Sequence, residues 1–179
     1  MKRVLIVYAS FSGATEEIAH YVKRHMESAG YTVDLVPANA QHMDLSAYQL
    51  VILGAAIRGN TPNEGITAFI NSNKEDLNQS TTAIFAVCGT ITSTKQNRID
   101  NALTYPKKIA SGITPIAEAV FGGEMPSSGW IGNLVGKLLL GVIPGDYKNE
   151  DEVKLWSQLV IETLETRQHN RNNIAIEPE

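Results

Sequence analysis

The stretch Val4-Leu5-Ile6-Val7-Tyr8-Ala9-Ser10-Phe11-Ser12-Gly13-Ala14-Thr15 leaves this chain few folds to choose from. Its first residues are apolar and rich in β-branched side chains, the pattern of a strand buried on both faces. Two serines, a glycine and a threonine follow, and an amphipathic pattern then begins at once. A strand that passes straight into a helix through a Ser/Gly/Thr turn is suited to holding an anion. Its backbone N–H groups point outward, the helix dipole adds positive potential, and the hydroxyls of Ser10, Ser12 and Thr15 can donate. Ser and Thr also cap helices, and Gly also makes turns. A cap needs one hydroxyl, however, and three at one turn point to a ligand with several oxygens.

The rest of the chain repeats the strand-to-helix step. The first helix is expected over Ala14–Ala29, with Ile18, Val22 and Met26 on one face, Ala19 beside them and Gly30 as the stop. Tyr31–Val36 reads as a second strand and Leu50–Ala56 as a third, with a turn at Asp44-Leu45-Ser46 between them. A helix is expected from the Ile57–Gly65 loop to Leu77, a fourth strand over Thr82–Cys88, and a helix interrupted at Pro106. A fifth strand is expected over Thr114–Phe121, and a last helix from Asn149 with Val153, Trp156, Val160 and Leu164 as its buried stripe. This order calls for an α/β fold, a three-layer doubly wound five-stranded parallel sheet. In such sheets a ligand sits beyond the carboxyl ends of the strands. Three loops leave those ends, Ser10–Thr15, Ile57–Gly65 and Gly89–Thr94, and all are rich in Gly, Ser, Thr or Asn.

Composition bounds the function classes. The chain of 179 residues reads as one domain over 1–166, with a polar tail over 167–179 expected to be disordered. A net charge of −4 argues against nucleic acid as a partner. The single Cys88 can form no internal disulfide and reads as core, which fits a cytoplasmic protein. The N-terminus lacks the form of a signal peptide, and no apolar run reaches the roughly 20 residues of a membrane span. His20, His25, His42 and His169 show no metal-ligand spacing, no G-x-S-x-G elbow is present, and no catalytic residue or metal site is assigned. A phosphoacceptor receiver domain shares the wrap, but it needs an Asp after the third strand, where this chain has Gly54-Ala55-Ala56.

An insert of about 122–147 follows the fifth strand. Read as a helix, Trp130–Ile143 sets Gly132, Gly136 and Lys137 on one side. Ile131, Leu134, Val135, Leu138, Leu139 and Val142 fall on the other. That face either packs on the protein itself or meets an apolar substrate or a membrane surface, which would put the protein at the inner face of the membrane.

Ser10-Phe11-Ser12-Gly13-Ala14-Thr15 fits [ST]-x-[ST]-G-x-[ST] at every specified position and has no lysine, unlike nucleotide P-loops. It resembles the phosphate-binding loop of the flavodoxin-like FMN-binding family. The resemblance implies strand order 2-1-3-4-5 and FMN as cofactor. It puts Ser10, Phe11, Ser12, Gly13, Ala14 and Thr15 on the phosphate. It puts Ala56, Ile57, Arg58 and Gly59 on one side of the isoalloxazine ring, with Cys88, Gly89, Thr90, Ile91 and Thr92 on the other. Gly54-Ala55-Ala56-Ile57-Arg58, Gly122-Gly123, the apolar insert with Lys137, and Gly145-Asp146 ahead of Trp156 look like the menaquinone-dependent protoporphyrinogen IX dehydrogenase type. Lys137 is the only cation between Gly122 and Tyr147, a departure from the Arg-rich insert expected of that type. The resemblance implies a quinone-linked dehydrogenase, with a quinone or redox protein as partner and a homo-oligomer left open. The alternatives are a flavodoxin electron carrier and an interaction module that binds no flavin. Arg58 beside the ring would stabilise the reduced anion and raise the potential, which suits transfer to a quinone.

Overall fold

The computed structural model describes residues 2–40, 43–125, 129, 133, 137–138, 141 and 143–174. The elements are β1 (Arg3–Ala9), α1 (Ala14–Ser28), β2 (Thr32–Pro37), β3 (Leu50–Arg58), β4 (Thr61–Pro62), α2 (Glu64–Ser72), α3 (Lys74–Gln79) and β5 (Thr82–Val87). They continue with α4 (Gln96–Ala102), α5 (Tyr105–Ala110), β6 (Glu118–Phe121), β7 (Glu124–Met125), β8 (Gly145–Asp146) and α6 (Glu150–Ile174).

Five strands run parallel in the order β2-β1-β3-β5-β6, and β4 folds back antiparallel on β3. Counting only the parallel strands, this is the expected 2-1-3-4-5 order. Alternation along each strand divides the core into two layers. Val4, Ile6, Leu50, Ile52, Phe85 and Val87 face α1 and α6, while Leu5, Val7, Val51, Leu53, Ile84 and Ala86 face α2, α3, α4 and α5. On the first face Phe85, Phe121 and Trp156 meet as a cluster with ring centroids 5.8–5.9 Å apart. Gly54 makes room for it, because a Cβ there would overlap the Phe85 ring.

Several boundaries differ from the sequence reading. The helix expected to reach Leu77 is two helices. Asn73 sits at φ −120°, ψ 23°, and its Nδ2 donates to the Phe69 carbonyl at 2.8 Å, ending α2. The loop after β3 is a hairpin in which Ile57 pairs with Pro62 and Arg58 with Thr61. Gly59 (φ 57°) and Asn60 (φ 65°) form its two-residue turn, the left-handed pair that a tight hairpin requires. The fifth parallel strand is shorter than expected, because Pro115 has no N–H to give and pairing with β5 begins near Ile116. The interruption expected at Pro106 is present: α4 ends at Ala102 and α5 starts at Tyr105, with Pro106 in the first turn of the second piece. The last helix runs on to Ile174, so 167–174 are helical where a disordered tail was expected. No Gly or Pro breaks the run before Pro178, and pairs such as His169 with Asn173 at 3.0 Å bridge successive turns.

The insert is closed at its base by β7 and β8, with Glu124 opposite Asp146 and Met125 opposite Gly145. Its described residues dock on the segment after β5. Thr94 N–H donates to the Gly141 carbonyl at 3.1 Å, and Lys95 Nζ donates to the Leu138 carbonyl at 2.6 Å. The helix expected over Trp130–Ile143 falls for the most part outside the described residues. Among the described residues no helix is long and apolar enough to cross a membrane.

Candidate functional site

The site grows from the end of β1. Gly13 stands at φ 98°, a left-handed conformation that swings the chain from strand into helix. Ser10 Oγ accepts from Gly13 N–H at 2.9 Å, which closes the turn. Among the described residues no side chain caps α1, so the capping role that Ser and Thr could have served is not used there, and the first-turn N–H groups are available to a ligand. Thr15 is 1% exposed, and its Oγ1 has no hydrogen-bond partner among the described residues. A buried hydroxyl without a partner costs about 1–3 kcal/mol, a state that a bound oxygen would relieve.

The second loop is tied to the first. Asn63 Nδ2 donates to the Ser10 carbonyl at 3.4 Å, while its Oδ1 caps α2 by accepting from Gly65 N–H at 2.9 Å. The Arg58 guanidinium lies 4.2 Å from the centroid of the Phe11 ring. The tip of the hairpin reaches the opposite wall. Tyr105 Oη donates to Asn60 Oδ1 at 2.6 Å, and Asn101 Nδ2 donates to both, at 3.1 Å to Asn60 Oδ1 and 3.0 Å to Tyr105 Oη. In the third loop Thr90 Oγ1 donates to Cys88 Sγ at 3.4 Å and Thr92 Oγ1 to the Gly89 carbonyl at 2.8 Å. Burial pushes up the pKa of both the Cys88 thiol and the Tyr105 phenol, so both are protonated at neutral pH.

These loops enclose a cavity of about 490 Å³. Ser10, Phe11, Ser12, Ala14, Thr15, Ala56, Ile57, Arg58, Gly59, Cys88, Gly89 and Thr90, all expected from the sequence, line it together. Gly13, Ile91 and Thr92 do not: the Gly13 N–H serves Ser10, Ile91 packs against the core, and the Thr92 hydroxyl is spent on Gly89. Asn60 of the Ile57–Gly65 loop and Arg98, which follows the third loop in the sequence, also line it, and sequence reasoning missed Val87, Tyr105 and Glu124. Gly123 lines it too, and a Cβ there would stand 3.0 Å from Val87. The Gly122-Gly123 pair was the one signal for that wall. Arg58 and Arg98 bring two guanidiniums to the cavity, with Glu124 as its acid.

The residues fit a phosphorylated, planar ligand. Open helix N–H groups and an orphaned hydroxyl lie where β1 meets α1, and the lining also carries apolar residues and two arginines. Comparison with known proteins gives the same direction. The family model described as a flavodoxin domain matches residues 5–129. Protoporphyrinogen IX dehydrogenase [quinone] from Escherichia coli K12 is 24% identical over 166 residues, covering 88% of this chain and 90% of that protein. Oxidised flavodoxin 1 from Bacillus cereus has a similar fold, with a TM-score of 0.60 at 15% identity over 90% of this chain and 98% of that one. Rubredoxin oxygen:oxidoreductase from Desulfovibrio gigas matches with a TM-score of 0.59 at 18% identity, over 93% of this chain but 37% of that one.

Proposed function

The chain belongs to the flavodoxin domain family, and from that premise we propose that it is an FMN-dependent oxidoreductase that passes electrons to a quinone. The observation that carries the reading is Thr15. Among the described residues its hydroxyl is buried without a partner at a helix start that no side chain caps, inside a cavity walled by three strand-end loops. Ser10, Ser12 and Thr15, with the open N–H groups of α1, would hold the phosphate. Ala56–Gly59 and Cys88–Thr90 would bracket the ring. FMN, when bound, supplies hydride and one-electron chemistry. The chain's part is to bind and orient it, and Arg58 and Arg98 favour negative charge in the cavity, which raises the potential.

Two features support the quinone-linked reading over a low-potential carrier. The chain resembles the Escherichia coli dehydrogenase over most of both lengths. Described residues of the insert are also held against Thr94 and Lys95 at the end of the third loop, as a platform for an apolar acceptor requires. The fold likeness to the Bacillus cereus flavodoxins supports the second reading, an electron carrier. The test is an anaerobic redox titration of the FMN-loaded chain, followed by quinone addition with and without residues 130–143. A high potential and fast, insert-dependent reoxidation by quinone are expected. A low potential with slow quinone reoxidation sinks the dehydrogenase reading and favours the carrier.

A further inference from the structure

The turn between β1 and α1 has no lysine or arginine, and α1 opens with two acids, Glu16 and Glu17. Carboxylates there oppose an anion at the same helix end. Tyr8 donates to Glu16 at 2.8 Å and Tyr21 to Glu17 at 2.6 Å, but neither phenol neutralises its partner. Lys148 does so for Glu17. Its Nζ lies 3.0 Å from Glu17 Oε2, 3.1 Å from Asp146 Oδ2 and 3.9 Å from Glu124 Oε2, and its side chain is only 6% exposed. A lysine is rarely buried this far unless paired. Its backbone is fixed as well: Lys148 N–H donates to Asp146 Oδ1 at 3.1 Å, and Tyr147 N–H to the Gly123 carbonyl at 3.2 Å. Burial alone would lower the lysine pKa, but the bonds to Glu17 and Asp146 outweigh it and hold the ammonium charged.

We propose that Lys148 is a positioning residue for the phosphate subsite: it neutralises Glu17 at the head of α1, so that the carboxylate does not oppose an anion held by the lysine-free loop. The proposal rests on the reading of Ser10–Thr15 as a phosphate loop. That reading has its own sign of a ligand in the buried, unpartnered Thr15 hydroxyl that lines the cavity. A lysine that merely clamped the insert would act on FMN and riboflavin alike. A lysine that tunes the phosphate end acts on FMN alone, because riboflavin lacks the phosphate.

The experiment measures dissociation constants of FMN and riboflavin by fluorescence quenching on the full chain, and reads the ratio of riboflavin to FMN. The wild-type ratio is expected well above one. Lys148→Met lowers it on the order of tenfold, the scale of one uncompensated charge near a protein surface. Adding Glu17→Gln to Lys148→Met restores it, since the charge that needed neutralising is gone. A Lys148→Met ratio within twofold of wild type, or a double variant that is not restored, overturns the proposal. A wild-type ratio near one overturns the loop reading itself and the proposal with it. If Lys148→Met does not fold, Lys148→Arg and Glu17→Gln decide instead. Both should hold or raise the ratio, and a fall in the Glu17→Gln ratio refutes the role.

Discussion

Replacing Thr15 with valine separates stability from binding, because the two effects have opposite signs. The side chain keeps its shape and loses one buried oxygen that has no partner. In the ligand-free chain that oxygen costs about 1–3 kcal/mol, so Thr15→Val stabilises by an amount of that order. A chain of this size gains on the order of 2–4 °C in Tm per kcal/mol, so a rise of about 2 °C or more is expected. With FMN present the same hydroxyl donates to a charged phosphate, a bond of about 1.5–3 kcal/mol. At tenfold per about 1.4 kcal/mol, FMN affinity falls roughly 10- to 150-fold while riboflavin affinity holds. Differential scanning calorimetry of the ligand-free chain and flavin titrations of both proteins read the two halves separately. A valine variant that melts lower, or that binds FMN as wild type does, would falsify the account of Thr15 as an oxygen waiting for a ligand.

Three further perturbations test the surrounding structure. Tyr105→Phe removes one of the two hydrogen bonds that hold Asn60 at the hairpin tip; FMN and riboflavin should both dissociate about 2- to 10-fold faster in stopped-flow chase experiments, the worth of one neutral hydrogen bond, and unchanged rates would remove the clasp. Gly54→Ala drives a methyl into the Phe85 ring and should destabilise by about 1–3 kcal/mol or more, seen as a lower urea midpoint; an unchanged midpoint refutes the close approach. The pKa of Glu17 lies below its ordinary 4.5, held there first by the Tyr21 hydroxyl and then by Lys148, and that of Asp146 lies below its ordinary 3.8 through the backbone and ammonium of Lys148. The unfolded chain therefore binds more protons in this range. Stability from both groups is present above about pH 4.5 and is lost as pH falls through their lower folded values. Urea midpoints between pH 6 and pH 3 should drop less steeply in Lys148→Met than in wild type (about these limits, set by the carboxylate range), and parallel slopes would dissociate the lysine from both acids.

The parts of the fold legible in the sequence were those written in local pattern. β1, β3 and β5 are continuous apolar runs because both faces are covered, and the loops that leave them carry the turn residues that a strand-end site uses. What stayed hidden was set by partners distant in the chain. Tyr105 sits in the first turn of a short helix and reaches the cavity only because Asn60 meets it from 45 residues away. Nothing local to the sequence marks Lys148, which three acids on α1, β7 and β8 surround. The segment Ile57–Gly65 was legible only as a loop, because the pairing of Ile57 with Pro62 and Arg58 with Thr61 is not written in its turn residues. The shortened β6 and the long α6 show the weaker side of composition: Pro115 trims one, and polarity alone does not end the other.

The two-rung ladder of Glu124–Met125 with Gly145–Asp146 also shapes how the chain can diverge. It brings the two ends of the insert together before the inserted residues begin, so the sheet is indifferent to what lies between them. Closing a longer loop on such a base costs only about 0.6 kcal/mol for each doubling of its length. Segments of different length and character can therefore be exchanged there as cassettes while the rungs and Lys148 are kept. A scaffold that holds one cofactor can in this way change its acceptor by trading a single stretch of chain.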